Sequence, residues 1–314
     1  MQKFILKTLL LLLPIVIIAI SLEYLLQQIP NDYVYKKSYL DKHSNEIEIL
    51  ILGASEPYYG INPVYFFQNT FNAAHVSQTW DLDFDIFNKY QSNFDNLKII
   101  VLPISYATLW SKLENASDSW RMKNYALYYG INTKSLKDHS ELLNNTLGNN
   151  LKRLYDYYFE KKNDIYCSEF GWGTSFKAGE SNDLNITGKE AASRHTHDIH
   201  SEESMKIFAE NIKILNSFAE FSNRNDIKLI LLTLPVYHTY RENIDKQQLN
   251  KMIETLTDFT KEHNNILYFN WFEDPDFLAA DFYDADHLNN LGAEKLSKKL
   301  AQFIDSLKVF DPPN

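Results

Sequence analysis

Five short runs of this 314-residue chain are apolar without polar alternation, and no other feature narrows the fold as far. They are Glu48–Gly53 (EILILG), Phe71–Ala74, Leu97–Ile104 (LKIIVLPI), Ile227–Leu234 (IKLILLTL) and Ile266–Trp271 (ILYFNW). A strand with one wet face alternates apolar and polar residues. Runs that do not alternate predict strands buried on both faces, as in a parallel sheet covered by helices. Patterns with a helical period separate the later runs. Ser201–Arg224 carries Ile207, Phe208, Ile212, Leu215, Phe218 and Phe221 at a spacing near 3.6. Lys246–His263 and Leu291–Leu307 read as two further amphipathic helices, and Pro63–Asn69 as a short one. The expected fold is α/β, a doubly wound and mainly parallel five-stranded sheet carried by residues 46–314.

Two stretches fall outside that alternation. Tyr106–His200 is too long for a simple crossover. It holds tyrosine-rich helical pieces (Tyr125, Tyr128, Tyr129, Tyr155, Tyr157, Tyr158) and a glycine-containing segment, Phe170–Gly188. It is expected to be a helical insertion, about 106–200, covering the C-terminal edge of the sheet. At the other end, Thr8–Leu22 (TLLLLLPIVIIAISL) follows Lys3 and Lys7. Counted from Phe4 to Ile29, this apolar stretch reaches the ~20 residues that cross a bilayer. Residues 1–30 are therefore expected to be a transmembrane anchor, and the basic flank predicts a cytosolic N-terminus with the rest of the chain outside. Ala19-Ile20-Ser21 offers the alternative of a cleaved signal peptide. Either way the domain is expected to be exported to a periplasm or bacterial cell surface, and with the anchor retained the expected location is the bacterial cytoplasmic membrane, with the domain facing the periplasm or the exterior. Residues 31–45 read as a polar connector.

Composition removes several function classes. Lys and Arg number 31 against 41 Asp and Glu, a formal charge of −10, which disfavours nucleic acid as a partner. The single cysteine, Cys167, forms no internal disulfide and cannot build a cysteine-clustered metal site. It reads as a small packed side chain.

Ligands of open α/β sheets bind beyond the C-terminal ends of the strands. Leu52-Gly53-Ala54-Ser55 puts a serine there, after a glycine suited to a tight turn. Its backbone N–H and a following helix would face a developing oxyanion. Alone, that tripeptide is as readily an ordinary turn or N-cap serine. A second motif adds weight: Asp284-Ala285-Asp286-His287, after the last strand and before the last helix. With a three-residue spacing in a tight turn, Asp284 reaches one imidazole nitrogen of His287 and leaves the other to take a serine proton. Asp286 competes for the same role, and its adjacent position favours Asp284. A parallel sheet brings both motifs to one edge.

This pairing resembles the SGNH-hydrolase superfamily, whose serine lies near the N-terminus and whose Asp-x-x-His lies near the C-terminus. Among its members the chain looks most like membrane-anchored proteins of envelope and exopolysaccharide O-acylation, the DltD-like and alginate-acetyltransferase-like proteins. The resemblance spans Ile49–Ile304 and implies an SGNH/flavodoxin-like sheet. It also implies an O-acyltransferase or esterase, with Ser55 as nucleophile, His287 as base, Asp284 as its orienter and no cofactor. A polysaccharide or glycan substrate and an integral-membrane acyltransferase partner are implied by the same likeness. The sequence departs from the pattern in two places. Ala54 stands where many relatives have Asp. The family's oxyanion Gly and Asn have no obvious counterparts. Ser77 or Gln78 occupies the glycine's position in Asn72–Gln78, and Ser105 stands in for the asparagine in Leu102–Tyr106. The alternative implied by that gap is a catalytically weak or inactive module that binds or assembles envelope components.

Other features invite roles. His195, His197 and His200 suggest a metal site, but polar residues leading into a helix near Ser201 account for them more simply, and no metal is expected. Trp172 is a candidate to stack on a sugar ring, with core packing as its rival. Arg241, with His238 and Tyr240 after the fourth strand, is a candidate substrate clamp.

Overall fold

The structure, a computed structural model, describes residues 1–310. Five strands form one sheet: β1 (Ile49–Ile51), β2 (Thr70–Asn72), β3 (Ile99–Pro103), β4 (Lys228–Thr233) and β5 (Ile266–Asn270). Their order is β2-β1-β3-β4-β5 and every neighbouring pair is parallel. Ile49 is in register with both Thr70 and Ile99, and Leu229 with Ile266. β1 and β3 are buried along their whole length, as non-alternating runs require. Strand order reverses direction at β1. A crevice therefore opens there, beyond the C-terminal ends of β1 and β3.

The helices, in chain order, are α1 (Gln2–Gln27), α2 (Asp32–His43), α3 (Ser55–Gly60), α4 (Trp80–Tyr90), α5 (Glu141–Asn144), α6 (Leu147–Tyr158), α7 (Leu184–His195), α8 (Glu202–Arg224), α9 (His238–Arg241), α10 (Lys246–Lys261) and α11 (Asn290–Ser306); shorter turns lie between them. Helices cover both faces of the sheet. On one, Leu296, Leu300 and Ile304 of α11 pack with Ile49, Ile99 and Ile230. On the other, Phe87 of α4 meets Phe218 and Phe221 of α8, with ring centroids 5.2 and 4.7 Å apart.

The chain divides into two compact units. One joins Met1–Lys37 to Ser117–Ile165; the other, Ser38–Ala116 with Tyr166–Asn314, holds the sheet. The stretch expected as one insertion is thus shared out. Residues 117–165 belong with the N-terminal helix, and 106–116 and 166–200 lie with the sheet.

In the first unit, α1 is long and apolar enough to cross a membrane, and its most apolar 18-residue window is wholly exposed. Glu141 is buried and gathers Lys123, Arg153 Nη1 at 2.7 Å and the Tyr128 hydroxyl at 2.7 Å. Burial opposes its ionisation, but those two cations more than offset it and hold its carboxyl below the usual range. Residues 31–45, expected as a connector, contain α2. Asn31 caps that helix, its Oδ1 accepting from the N–H groups of Tyr33 and Val34 at 3.0 and 3.1 Å.

Two local expectations need correction. Pro63–Asn69 is one tight turn of helix, Pro63–Tyr65, because Asn69 O already accepts the Glu48 N–H at 2.8 Å and the chain must extend into β2. β2 accordingly starts at Thr70, one residue earlier than expected.

Gly53 ends β1 with a φ of 110°, a conformation side chains rarely adopt, and a Cβ there would sit 2.9 Å from Pro57 Cγ. Gly53→Ala is expected to destabilise the sheet-bearing unit by roughly 1–3 kcal/mol. Denaturant unfolding monitored by tryptophan fluorescence measures this, and an unchanged midpoint would show that the turn relaxes freely.

Candidate active site

Ser55 is the first residue of α3, two residues past the Gly53 turn. His287 and Asp284 lie opposite each other in a small hairpin, Phe282–Asp284 paired antiparallel with His287–Leu288. The hairpin explains the Asp-x-x-His spacing: a two-residue tip makes the first and fourth residues cross-strand neighbours. The tip is held from two sides. The Tyr237 N–H donates to Ala285 O at 2.8 Å, and the Ala285 N–H to Thr187 Oγ1 at 3.2 Å.

The structure brings the three side chains together across 232 residues of sequence. Ser55 Oγ is 2.8 Å from His287 Nε2, and His287 Nδ1 is 2.8 Å from Asp284 Oδ1. A carboxylate only accepts, so Nδ1 carries the proton. In the neutral ring Nε2 then accepts from the Ser55 hydroxyl. Asp286 is not turned away: its Oδ1 lies 3.6 Å from the same Nδ1 and its side chain is buried. Its Oδ2 stands 3.9 Å from His195 Nδ1, which meets the Tyr240 hydroxyl at 2.9 Å. Burial alone would lower the pKa of His287. Asp286 and Asp284 outweigh it and raise that pKa well above the ordinary 6.5. Asp286, opposed by its own burial, is held far down by His287.

Other expected residues separate. Ser77 has a φ of 61°, the left-handed backbone that favours glycine, so it and not Gln78 occupies the glycine-like position. The Gln78 N–H is taken by His75 O at 3.1 Å. That removes Gln78 as a backbone donor to an oxyanion; its amide instead donates to Asp83 Oδ1 at 2.6 Å. Ser105 lines a pocket with Ala54 and Glu56, the neighbours of Ser55, but its N–H donates to Thr108 Oγ1 at 2.9 Å and its hydroxyl shares a hydrogen bond with the same Oγ1 at 3.0 Å. Trp172 donates its indole N–H to Tyr59 O at 2.6 Å, pinning residues after Tyr166 onto α3, and does not line the pocket. Arg241 is also outside the lining; its guanidinium lies 3.7 Å from Glu273. His195 and His197 are spent on Tyr240 and on Ser111 Oγ at 3.3 Å. Among the described residues, the cluster compact enough for a metal is Asp284, Asp286 and His287, whose contacts the ring proton already explains.

Sequence reasoning missed the parts played by three groups of residues. Tyr59, Phe176 and Tyr283 stack face to face, with centroids 3.6 and 3.8 Å apart, and the first two present edges to the His287 ring at 6.0 and 5.5 Å. Tyr240 and His195 back Asp286, as above. Asp83, in the first turns of α4, accepts the Gly53 N–H at 2.7 Å and so anchors the turn that presents Ser55. Its acidic position at a helix start gave only a dipole signal. Trp80, Asp83 and Asp286 line the pocket, and Trp80 Nε1, Asp83 Oδ2 and Asp286 Oδ2 are each buried without a hydrogen-bond partner among the described residues.

Among the described residues no cation reaches Asp83, and burial pushes its carboxyl from 3.8 up to about 7 despite the Gly53 and Gln78 bonds. The folded state therefore holds a proton that the unfolded state releases. The associated stability is complete below pH 3.8 and is lost as pH rises to about 7, by up to roughly 4 kcal/mol. Asp83→Asn keeps the acceptor for Gly53 and cannot ionise. Its unfolding free energy should gain on the parent between pH 5 and pH 8. A difference independent of pH would show that Asp83 is charged throughout.

No family model and no curated protein matches the chain. Among solved structures, a protein described as an acylhydrolase from Bacteroides fragilis aligns over 86% of this chain and 95% of its own, at 12% identity and a TM-score of 0.42. A GDSL-like lipase from Bacteroides thetaiotaomicron aligns over 88% and 99%, also at 12% identity and 0.42. At that similarity neither match bears on activity.

Proposed function

We propose that this chain is a membrane-anchored, serine-dependent acyl-ester enzyme of SGNH type. The observation that carries the reading is the continuous path from Ser55 Oγ through His287 to Asp284, both links 2.8 Å long. Ser55 Oγ attacks the ester carbonyl carbon as His287 Nε2 takes its proton, while Asp284 holds Nδ1–H and stabilises the imidazolium. The N–H groups of Ser55 and Ser77 serve the oxyanion, a role that the left-handed backbone of Ser77 supports. Collapse expels the alcohol, which leaves with the His287 proton, and an acyl-Ser55 remains. A sugar hydroxyl or water then reverses the steps. The acyl group is acetyl and the acceptor or donor an envelope polysaccharide. The apolar α1 supports membrane attachment, with the sheet-bearing unit outside the cytoplasm and an integral-membrane acyl donor as partner.

One observation favours a second reading. The N–H groups of Gln78 and Ser105 are already spent, which leaves few donors for an oxyanion. A fold kept as an envelope-binding module fits that economy. Trapping decides between them: incubation with 4-nitrophenyl acetate should leave an acetyl group on Ser55 by mass spectrometry. Ser55→Ala should lower turnover on the order of 10⁴–10⁶-fold, and Asp284→Asn by up to about 10⁴-fold, with folding retained. Near-parental turnover by Ser55→Ala sends the assignment to the binding module.

His287 must be neutral to act as base, and its raised pKa puts the rising limb of kcat/KM above pH 6.5. Removing one negative neighbour lowers that pKa. Asp286→Asn is therefore expected to move the limb towards lower pH, while Asp284 still orients the ring. An unmoved limb would remove Asp286 from the electrostatics of the base.

A further inference from the structure

The first unit contains a helix built inside out. α6 buries only Asn150, and beside it Arg153 reaches inward to the buried Glu141. Its exposed stripe is apolar: Leu147, Leu151 and Tyr155, continued by Phe159, recur every four residues and are 48–75% exposed. A helix in water shows the opposite pattern. Leu143, just before it, adds to the stripe at 64% exposed. An apolar face of this kind is not left to water without a use.

The same unit says what covers it. Glu23 is the first ionisable residue of α1 after Lys7. The fifteen residues between them span about 22 Å as a helix, so a bilayer entered by α1 brings Glu23 to the headgroups. Glu23 accepts from the N–H groups of Glu141 and Leu142 at 2.8 and 3.0 Å and from Ser140 Oγ at 2.7 Å. The start of α5 is thereby fixed at headgroup depth. Leu143 and α6 come directly after it, and the Tyr158 hydroxyl bonds Leu25 O at 3.1 Å, back at the same end of α1. Charge agrees. Met1–Lys37 with Ser117–Ile165 holds 12 Lys and Arg against 8 Asp and Glu; Lys3 and Lys7 lie at the far end of α1, which leaves 10 against 8, net +2, on the side of α6, in a chain of net −10. A cationic unit with an outward apolar and aromatic stripe suits an anionic lipid surface.

We infer that α6 lies in the membrane interface, with its Leu147–Leu151–Tyr155–Phe159 stripe in the lipid, as a second attachment beside α1. The inference rests on the membrane reading of α1. The test uses the full chain with Cys167→Ser, reconstituted in vesicles of three parts phosphatidylcholine to one part phosphatidylglycerol. A nitroxide is placed on a single cysteine at Ile15, Leu151, Tyr155 or Lys251 in turn. The apolar relaxant oxygen and a water-soluble nickel chelate then report depth. Leu151 and Tyr155 are expected to resemble Ile15, open to oxygen and shielded from nickel, while Lys251 shows the reverse. Leu151 and Tyr155 matching Lys251, or shielded from both relaxants as in a protein contact, with Ile15 still in lipid, would overturn the inference and leave the anchor standing. Ile15 matching Lys251 would sink the anchor and the inference together.

Discussion

All strands of a parallel sheet end at the same edge, and the contact between Ser55 and His287 depends on that constraint. The two residues are 232 positions apart and still meet at 2.8 Å. Ser55 follows β1 in the middle of the order β2-β1-β3-β4-β5, and the His287 hairpin follows β5 at its end. Neither residue is placed by its neighbours in sequence. Each is placed by backbone pairing in the sheet, whose inner strands β1 and β3 are buried along their whole length, so loosening the sheet would loosen the site with it. The Gly53 turn adds the final increment, since its positive φ and its bond to Asp83 aim the start of α3.

Two buried carboxylates near this edge behave oppositely, and the difference lies in what each faces. Asp286 has His287, and its ionised form is favoured although burial opposes it. Asp83 has only neutral donors, and burial prevails. The same low dielectric therefore leaves one carboxylate charged and the other near neutrality. The charged one raises the basicity of the histidine. The other keeps a proton and holds a turn, a structural use for which a charged group would be costly.

The sheet was legible because buried parallel strands lose alternation, and the five runs correspond to the five strands within two residues at each end. The Asp284–His287 spacing was legible as a turn, and its form, a two-stranded hairpin, lies below what a four-residue motif can carry. Less visible were features whose partners are remote. Asp83 looks like a helix-start acid until Gly53 is seen beside it. Phe176 sits in a polar, glycine-containing stretch, and only the folded chain stacks it between Tyr59 and Tyr283. Trp172 and Arg241 were plausible from residue type, yet their polar atoms are turned to Tyr59 O and Glu273. The polar stretch 31–45 hid a capped helix because composition reports solubility and not capping geometry.

Charge is also divided in a way that the total conceals. Met1–Lys37 and Ser117–Ile165 carry +4, of which Lys3 and Lys7 at the far end of α1 supply +2, and the remaining residues carry −14 to make the net −10. An anionic surface attracts the first set and repels the second, over a screening length of about 8 Å at physiological salt. Such a surface therefore acts on the two parts of one chain with opposite sign. An apolar helix alone fixes only attachment, because its burial in lipid does not depend on the residues that come after it. Opposed charges add a preference for which part meets the headgroups. The inverted face of α6 makes that preference specific to one helix, which combines an inward arginine–glutamate ion pair with an outward row of leucine, tyrosine and phenylalanine.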